Sequence, residues 1–272
     1  MAQASEHDFD RVARLLRARA GIVLGEHKRE MADRVLGLRA KCLGKNFVDE
    51  YLDLLEMHDD SPEWDCFVNA FTINHTAFFR EAHHFDTLAK WARGRKQPLS
   101  VWCCAASTGE EAYSIAMTLQ DAWPQGGPKV SIWASDIDTQ AIERAEQGVY
   151  SLEQAKAIPE AQLKKYFYRG TGSQTGMVRV KPALRDMVQF GVFNLMSRAW
   201  PTSMKLDVIF CRNVMIYFDK EFQAQILERM ATVLMPGGLL CVGHSENFTY
   251  LTNAFRLQGQ TVYVRVRGDN HS

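Results

Sequence analysis

Leu99-Ser-Val-Trp-Cys-Cys-Ala-Ala-Ser-Thr-Gly109-Glu-Glu-Ala-Tyr-Ser-Ile-Ala-Met117 decides the fold. An apolar, β-prone run breaks into small residues, then two carboxylates, then a helix-periodic segment. Such a strand–loop–helix unit lets a ligand approach the backbone closely. A dinucleotide fold would carry GxGxxG here, with the pyrophosphate on the helix N-terminus. This loop has one glycine, Gly109, and places Glu110 and Glu111 in the first helical turn. Two carboxylates repel a diphosphate, so a cationic ligand carrying adenosine fits better. Either glutamate alone would also simply complement the helix dipole.

The pattern repeats outward from that unit. Val130–Ser135 reads as a second strand, ending in Asp136 and Asp138, and Leu206–Cys211 as another. A helix at roughly 220–235 is expected to stop at Pro236-Gly237-Gly238. The strand Leu239–Gly243 would follow, and Gln260–Val266 would be the last strand. Alternating strands and helices imply a mostly parallel sheet covered on both faces. Ligands on such sheets sit at the strand carboxyl ends, where Gly109, Asp136, Asn194 and Asn213 all fall. A carboxylate at Asp136 suits the two hydroxyls of a ribose. One segment interrupts the alternation. The Gly-rich loop Arg169–Gly176, followed by Met177–Val180 and Met187–Phe190, reads as a small antiparallel excursion outside the main sheet.

The first 73 residues read differently, as a small helical domain with apolar residues at helical spacing. Asp8 is expected to cap the first helix, and Gly21 and Gly44 to stop helices. Residues 11–45 carry ten Lys and Arg against three acids, whereas 46–65 carry eight acids and no base. Asn74-His-Thr-Ala-Phe-Phe-Arg80 links the two regions. Here Thr76 is expected to cap a helix that includes Phe79 and Leu88, bunching Asn74, Thr76 and Arg80 at its start. An ion pair with Glu81 is the plain structural use of Arg80. His83 and His84, as helix neighbours, are expected to face apart, so no metal site is expected.

Composition narrows the function classes. The chain has 272 residues, with 32 basic and 32 acidic side chains, a balance that argues against nucleic acid as the main partner. The N-terminus lacks the pattern of a signal peptide, and no apolar run approaches the roughly 18 residues of a membrane span. The six cysteines form no CxxC pair, which suits free thiols in a reducing, cytoplasmic setting. A monomer is expected.

Five strings occur in order: Asn74-x-Thr-x-Phe-Phe-Arg80, Ala106-Ser-Thr-Gly-Glu-Glu-Ala-Tyr-Ser114, Ala134-Ser-Asp-Ile-Asp138, Phe210-Cys-Arg-Asn-Val-Met-Ile-Tyr-Phe-Asp219 and Gly243-His-Ser-Glu-Asn247. Together they resemble the CheR family of chemotaxis receptor methyltransferases. Ala112 stands where that pattern has proline, and His75 where an apolar residue is usual.

The resemblance implies an α/β, Rossmann-like S-adenosylmethionine-dependent methyltransferase sheet. It also implies an N-terminal all-helical domain (1–73), a linker (74–97), and a methyltransferase domain (98–272) with a small antiparallel β-subdomain inserted at about 167–192. The implied activity is methylation of glutamate side chains on the cytoplasmic helices of methyl-accepting chemoreceptors, leaving S-adenosylhomocysteine. The implied cofactor pocket comprises Asn74, Thr76, Arg80, Gly109, Glu110 or Glu111, Asp136, Asn194, Leu195, Arg212 and Asn213. Arg80 and Tyr217 are the implied catalytic groups. Gly170, Gly172 and Gly176 match the spacing of a loop that takes a receptor C-terminal peptide by strand addition. Arg11, Arg14, Arg17, Arg29, Arg34 and Arg39 are candidates for a surface facing the acidic receptor. Rival readings are a methyltransferase on another substrate and a non-catalytic receptor-binding scaffold.

Overall fold

The computed structural model describes residues 5–201 and 203–266. Four helices lead: α1 (Glu6–Ala20), α2 (Arg29–Cys42), α3 (Val48–Met57) and α4 (Glu63–Phe71). Their apolar stripes close on a core of their own, built around Val12, Leu16, Leu36, Leu52, Leu55 and Phe67. Ser5, not Asp8, caps α1. The Ser5 hydroxyl accepts the Asp8 N–H at 3.1 Å, and the Asp8 carboxylate accepts the Ser5 N–H at 2.9 Å. Asp8 is therefore the reciprocal half of a capping box. Gly21 ends α1 in the left-handed region, at φ 72°, and Gly44 follows α2 at φ 68°.

No helix starts at Thr76. Residues 72–82 are irregular, and α5 begins only at His83 (His83–Ala92). Phe79 and Glu81 sit at φ 52° and 56°, a conformation that stops a helix from forming through them. Tertiary contacts hold them there. The Phe79 N–H donates to the Ser114 hydroxyl at 3.0 Å, and Phe78 packs edge-on against Tyr150 and Phe167.

The main sheet holds β1 (Leu99–Cys103), β2 (Val130–Asp136), β6 (Val188–Val192), β7 (Leu206–Cys211), β8 (Leu234–Val242), β9 (Phe255–Gly259) and β10 (Val262–Arg265). Their order is β6-β2-β1-β7-β8-β10-β9. The first five run parallel, and β10 is antiparallel to both its neighbours. The long helices α6 (Glu110–Ala122), α7 (Thr139–Gln147) and α10 (Lys220–Val233) cross between parallel strands or out to them, and the short α8 (Glu160–Tyr166) and α9 (Pro182–Arg185) lie between α7 and α10 in the chain. Cys103 and Cys104 point into cores on opposite faces.

Three expectations are corrected. Helix α10 stops at Val233, and β8 already includes Pro236-Gly237-Gly238, where its register against β7 shifts. The last strand pairs antiparallel with a further strand, β9, beyond those expected. The expected excursion is also split between two sheets. Met177–Val180 is β5, the centre of a separate three-stranded sheet with β3 (Val149–Ser151) and β4 (Phe167–Arg169). Residues 188–192, by contrast, form the edge of the main sheet, parallel to β2.

The basic face of the helical domain is largely neutralised within the chain. Arg11 pairs with Asp53 and Glu56, Arg14 with Glu56, Arg17 with Asp219, and Arg29 with Glu26. Arg39 grips Glu63 with two hydrogen bonds of 2.9 and 2.6 Å, and the Tyr51 hydroxyl donates to the same carboxylate at 2.8 Å. Of the six arginines only Arg34 has no ion pair among the described residues. Arg39→Ala would leave the buried Glu63 charge without its cation and should cost about 3 kcal/mol, read as a lower urea midpoint. An unchanged midpoint would remove Arg39 from the structural frame.

Candidate functional site

The parallel strands β1, β2, β6 and β7 end along one edge, and the loops leaving them enclose a cleft of about 920 Å³, open mouth included. The helical domain roofs it with Ala20, Ile22 and Phe71, and the irregular linker supplies Thr72–Thr76 and Arg80. The sheet side supplies Ser107, Glu111, Asp136, Ile137, Phe193–Leu195, Arg212–Val214 and Tyr217. Ten expected site residues thus meet: Asn74, Thr76, Arg80, Glu111, Asp136, Asn194, Leu195, Arg212, Asn213 and Tyr217.

Gly109 and Glu110 are not among the lining. Gly109 is needed for shape. At φ 95° a Cβ there would lie 2.9 Å from both the Ala145 Cβ and the Tyr150 hydroxyl. Glu110 is buried on the far side of the turn, where its carboxylate accepts from the Thr108 hydroxyl at 2.7 Å and burial raises its pKa. Of the two glutamates, Glu111 reaches the cleft.

Glu111 does not arrive as a free charge. Its Oε2 accepts from the Arg212 guanidinium, and its Oε1 accepts from the Cys103 thiol at 3.3 Å. Arg212, with a side chain only 1% exposed, also lies 3.3 Å from Glu81 and donates to the Arg80 carbonyl. For Glu81, burial acts to raise the carboxyl pKa, but the Arg212 charge and hydrogen bond, with hydrogen bonds from the His244 backbone and Asn213, together outweigh it and the net shift is downward. Next to this pair, burial and the Arg212 charge push His84 down to about 3, so it is neutral. The rings of His83 and His84 lie 4.1 Å apart rather than facing away. Their nitrogens reach Gln260 and Thr261, in the turn between β9 and β10.

Asp136 closes β2. Its two oxygens accept N–H groups from Ser107 at 2.8 Å and Asp138 at 3.0 Å. Burial raises its pKa, against those two hydrogen bonds. Asn74 bridges the loops: its amide donates to Asp138 at 2.7 Å, and its carbonyl accepts from the Ser107 hydroxyl at 3.0 Å. Asn194 donates to the Arg19 carbonyl at 2.7 Å and so ties the sheet to the helical domain. Arg80 makes no ion pair among the described residues and donates to the His75 carbonyl at 2.9 Å. The expected Glu81 partner belongs instead to Arg212. Ser107 and Asp138 were given no site role by the sequence. Asp138 had a legible signal, an acid ready to cap the helix that follows β2, and it caps α7 by accepting the Ala141 N–H at 2.9 Å.

Comparison with known proteins identifies this arrangement. Residues 7–72 match the CheR methyltransferase all-alpha domain, and residues 74–264 match the CheR methyltransferase SAM-binding domain. The chain belongs to the CheR methyltransferase family. It is 51% identical to the chemotaxis protein methyltransferase of Klebsiella aerogenes, over 95% of this chain and 89% of that one. It is 49% identical to the Salmonella typhimurium protein of the same name, over 96% and 90%. Chemotaxis protein methyltransferase 2 of Pseudomonas aeruginosa is 46% identical, over 95% and 93%.

S-adenosylmethionine is therefore the cofactor, and the donor set fits it. The cleft offers two carboxylates, Glu111 and Asp136, and apolar walls at Ile137, Phe193 and Leu195, with no phosphate-binding glycine loop. Among the described residues no helix is long and apolar enough to cross a membrane. Arg212→Ala would strand Glu81 and Glu111 as buried charges and should destabilise the protein by about 3–5 kcal/mol. Denaturant titration checks this, and a loss under about 1 kcal/mol would refute the bridging role.

Proposed function

We propose that this methyltransferase transfers the methyl group of S-adenosylmethionine to glutamate side chains of chemoreceptors, giving methyl esters. The observation that carries the reading is the meeting of Arg80 and Tyr217 with Glu111 and Asp136 around one cleft. When bound, the cofactor supplies a methyl group activated by its sulfonium charge. Asp136 would hold the ribose hydroxyls, and Ile137, Phe193 and Leu195 the adenine. A receptor glutamate, with a reference pKa of about 4.3, is already ionised at pH 7, so no general base is required. What the chain must do is orient the carboxylate and exclude water. Arg80, with no acidic partner among the described residues, orients it by a charge-assisted hydrogen bond. Tyr217 lines the same opening, and Ile22 and Phe71 keep water out from above.

Incubation with methyl-labelled cofactor and receptor-containing membranes should yield base-labile label on the receptor, released as methanol. Alkali-stable label would refute the ester. Arg80→Ala should fold normally and lose rate on the order of 10²-fold, and Tyr217→Phe on the order of tenfold. Wild-type rates in both would take them out of the chemistry.

Asp136 also sets a pH dependence. A raised carboxyl takes up its proton at higher pH than a free one, so its acceptor capacity for ribose is lost earlier on acidification. Cofactor affinity, followed by calorimetry, should fall as pH drops, beginning above the ~3.9 of free aspartate. Asp136→Asn should remove that dependence. Linkage to folding has the opposite sign: the stability contributed by protonated Asp136 is present at low pH and lost as pH rises through its raised pKa.

The same reading extends to partner contacts of a monomeric, cytoplasmic enzyme. Gly170, Gly172 and Gly176 shape the loop between β4 and β5. A Cβ on Gly170 would fall 2.1 Å from the Gln174 carbonyl oxygen, and Gly172 and Gly176 have φ of 58° and 90°. Strand β4 is an edge of the small sheet, and a receptor C-terminal peptide would extend it by strand addition, raising local enzyme concentration. Arg34, exposed on α2, supports docking on the acidic receptor. Titration with receptor C-terminal peptides should show saturable binding that Gly170→Val abolishes, and Arg34→Glu should slow receptor methylation most at low salt. Absence of peptide binding would sink the tether.

A further inference from the structure

Glu246 lies just past β8, in Gly243-His-Ser-Glu-Asn247, and is only 4% exposed. It is not part of the cleft lining. Its carboxylate faces a fan of backbone N–H groups. Oε2 accepts from Gly243 and from Asn213 at 3.1 Å, and Oε1 accepts from Val214 at 3.1 Å and Met215 at 2.8 Å. Among the described residues it has no ion-pair partner. A buried carboxylate without a counter-ion is costly, and here the backbone donors stand in for the cation. Three of them come from 213–215, where the 3₁₀ turn Met215–Tyr217 begins and N–H groups lack helical acceptors. Glu246 thus caps, from a different loop, the turn that carries Tyr217.

Gly243 is a second, independent observation. A Cβ there would lie 2.4 Å from the Asn213 amide nitrogen, 2.8 Å from its backbone nitrogen and 2.9 Å from Glu246 Oε2. The chain leaving β8 therefore approaches the Asn213 loop as closely as a glycine permits. Asn213 itself sits at φ 58°, a conformation that needs support from its surroundings. From the other side Gln223 on α10 donates to the Met215 and Phe218 carbonyls at 2.8 and 3.0 Å. The turn is gripped by its donors from one direction and by its acceptors from the other.

We infer that Glu246 is a positioning residue for methyl transfer: its carboxylate fixes the 213–217 turn so that Asn213 and Tyr217 face the cleft. This rests on the proposed role of Tyr217. Glu246→Gln keeps the shape but removes the charge and turns one acceptor into an NH2 group facing N–H donors. Four enzymes test the inference: wild type, Tyr217→Phe, Glu246→Gln and the double variant. Each is assayed for kcat and for KM towards receptor, with thermal melts to report the folded fraction.

Glu246→Gln should lower kcat at least tenfold per folded molecule, with the receptor KM within about twofold of wild type. Tyr217→Phe should then cost much less in the Glu246→Gln background than in wild type, because the hydroxyl is already misplaced. A purely structural role for Glu246 predicts lower melting with normal kcat, or equal cost of Tyr217→Phe in both backgrounds; either overturns the inference. Should Glu246→Gln not fold, Glu246→Asp, with its carboxylate drawn back by one methylene, is read the same way. Tyr217→Phe at the wild-type rate would refute the role of Tyr217 and this inference with it. A slow Tyr217→Phe beside a fast Glu246→Gln would refute the role of Glu246 alone.

Discussion

The buried Arg212 guanidinium, set between Glu111 and Glu81, is the interaction on which the rest of the site depends. It joins the helix after β1, the loop after β7 and the irregular linker in one contact set. Its hydrogen bond to the Arg80 carbonyl places Arg80 at the cleft. The arrangement also changes the electrostatics of the site. The formal charges of Arg80, Glu111, Asp136 and Arg212 in the lining cancel, where the loop read alone promised two negative charges. On the proposed function, selectivity for a sulfonium over a phosphate ligand would rest on Glu111, Asp136 and the missing glycine loop together, rather than on Glu110 and Glu111 as a pair.

The helical domain completes the site as well as covering it. The Val23 N–H donates to the Tyr217 carbonyl at 2.9 Å, Arg17 pairs with Asp219 at 2.7 Å, and Asn194 holds the Arg19 carbonyl. Gly21 lets the chain pass against Met196 and Phe218, where a Cβ would come within 2.9 Å of Met196. These contacts gather on the turns that bear Asn194 and Tyr217, so the helical domain also sets the walls of the cleft. Charges assigned to a docking surface by sequence are partly consumed by this task. Arg17 and Arg39 serve the fold, and Arg34 is the one of the six with no ion pair among the described residues.

Much of the architecture was legible because it follows from short-range periodicity. The strands at 99–103, 130–136 and 206–211 are apolar runs bounded by turns, and α1 ends where a glycine allows the left-handed region. Three of the misreadings share one cause, in that a distant partner overrode the local preference. Phe79 and Glu81 adopt positive φ because Ser114, Arg212 and the aromatic cluster of Phe78 hold the linker. Met187–Phe190 resembles a hairpin partner for Met177–Val180, yet β2 offers it a place in the main sheet. Pro236 and two glycines look like a helix stop and a turn, but the shifted register against β7 accommodates them within β8.

By itself, the sequence determined the class of fold, the carboxyl-end location of the site and most of its residue types. Those depend on residue periodicity and on what can follow a strand, which are local properties. Tertiary structure alone decided which glutamate faces the cleft, that Arg80 has no ion pair among the described residues while Arg212 is paired, and that Glu246 accepts hydrogen bonds from the turn of Tyr217. Each of these is a choice of partner among residues tens to more than a hundred positions apart. That choice is settled by burial, where a charge without a partner is too costly to keep.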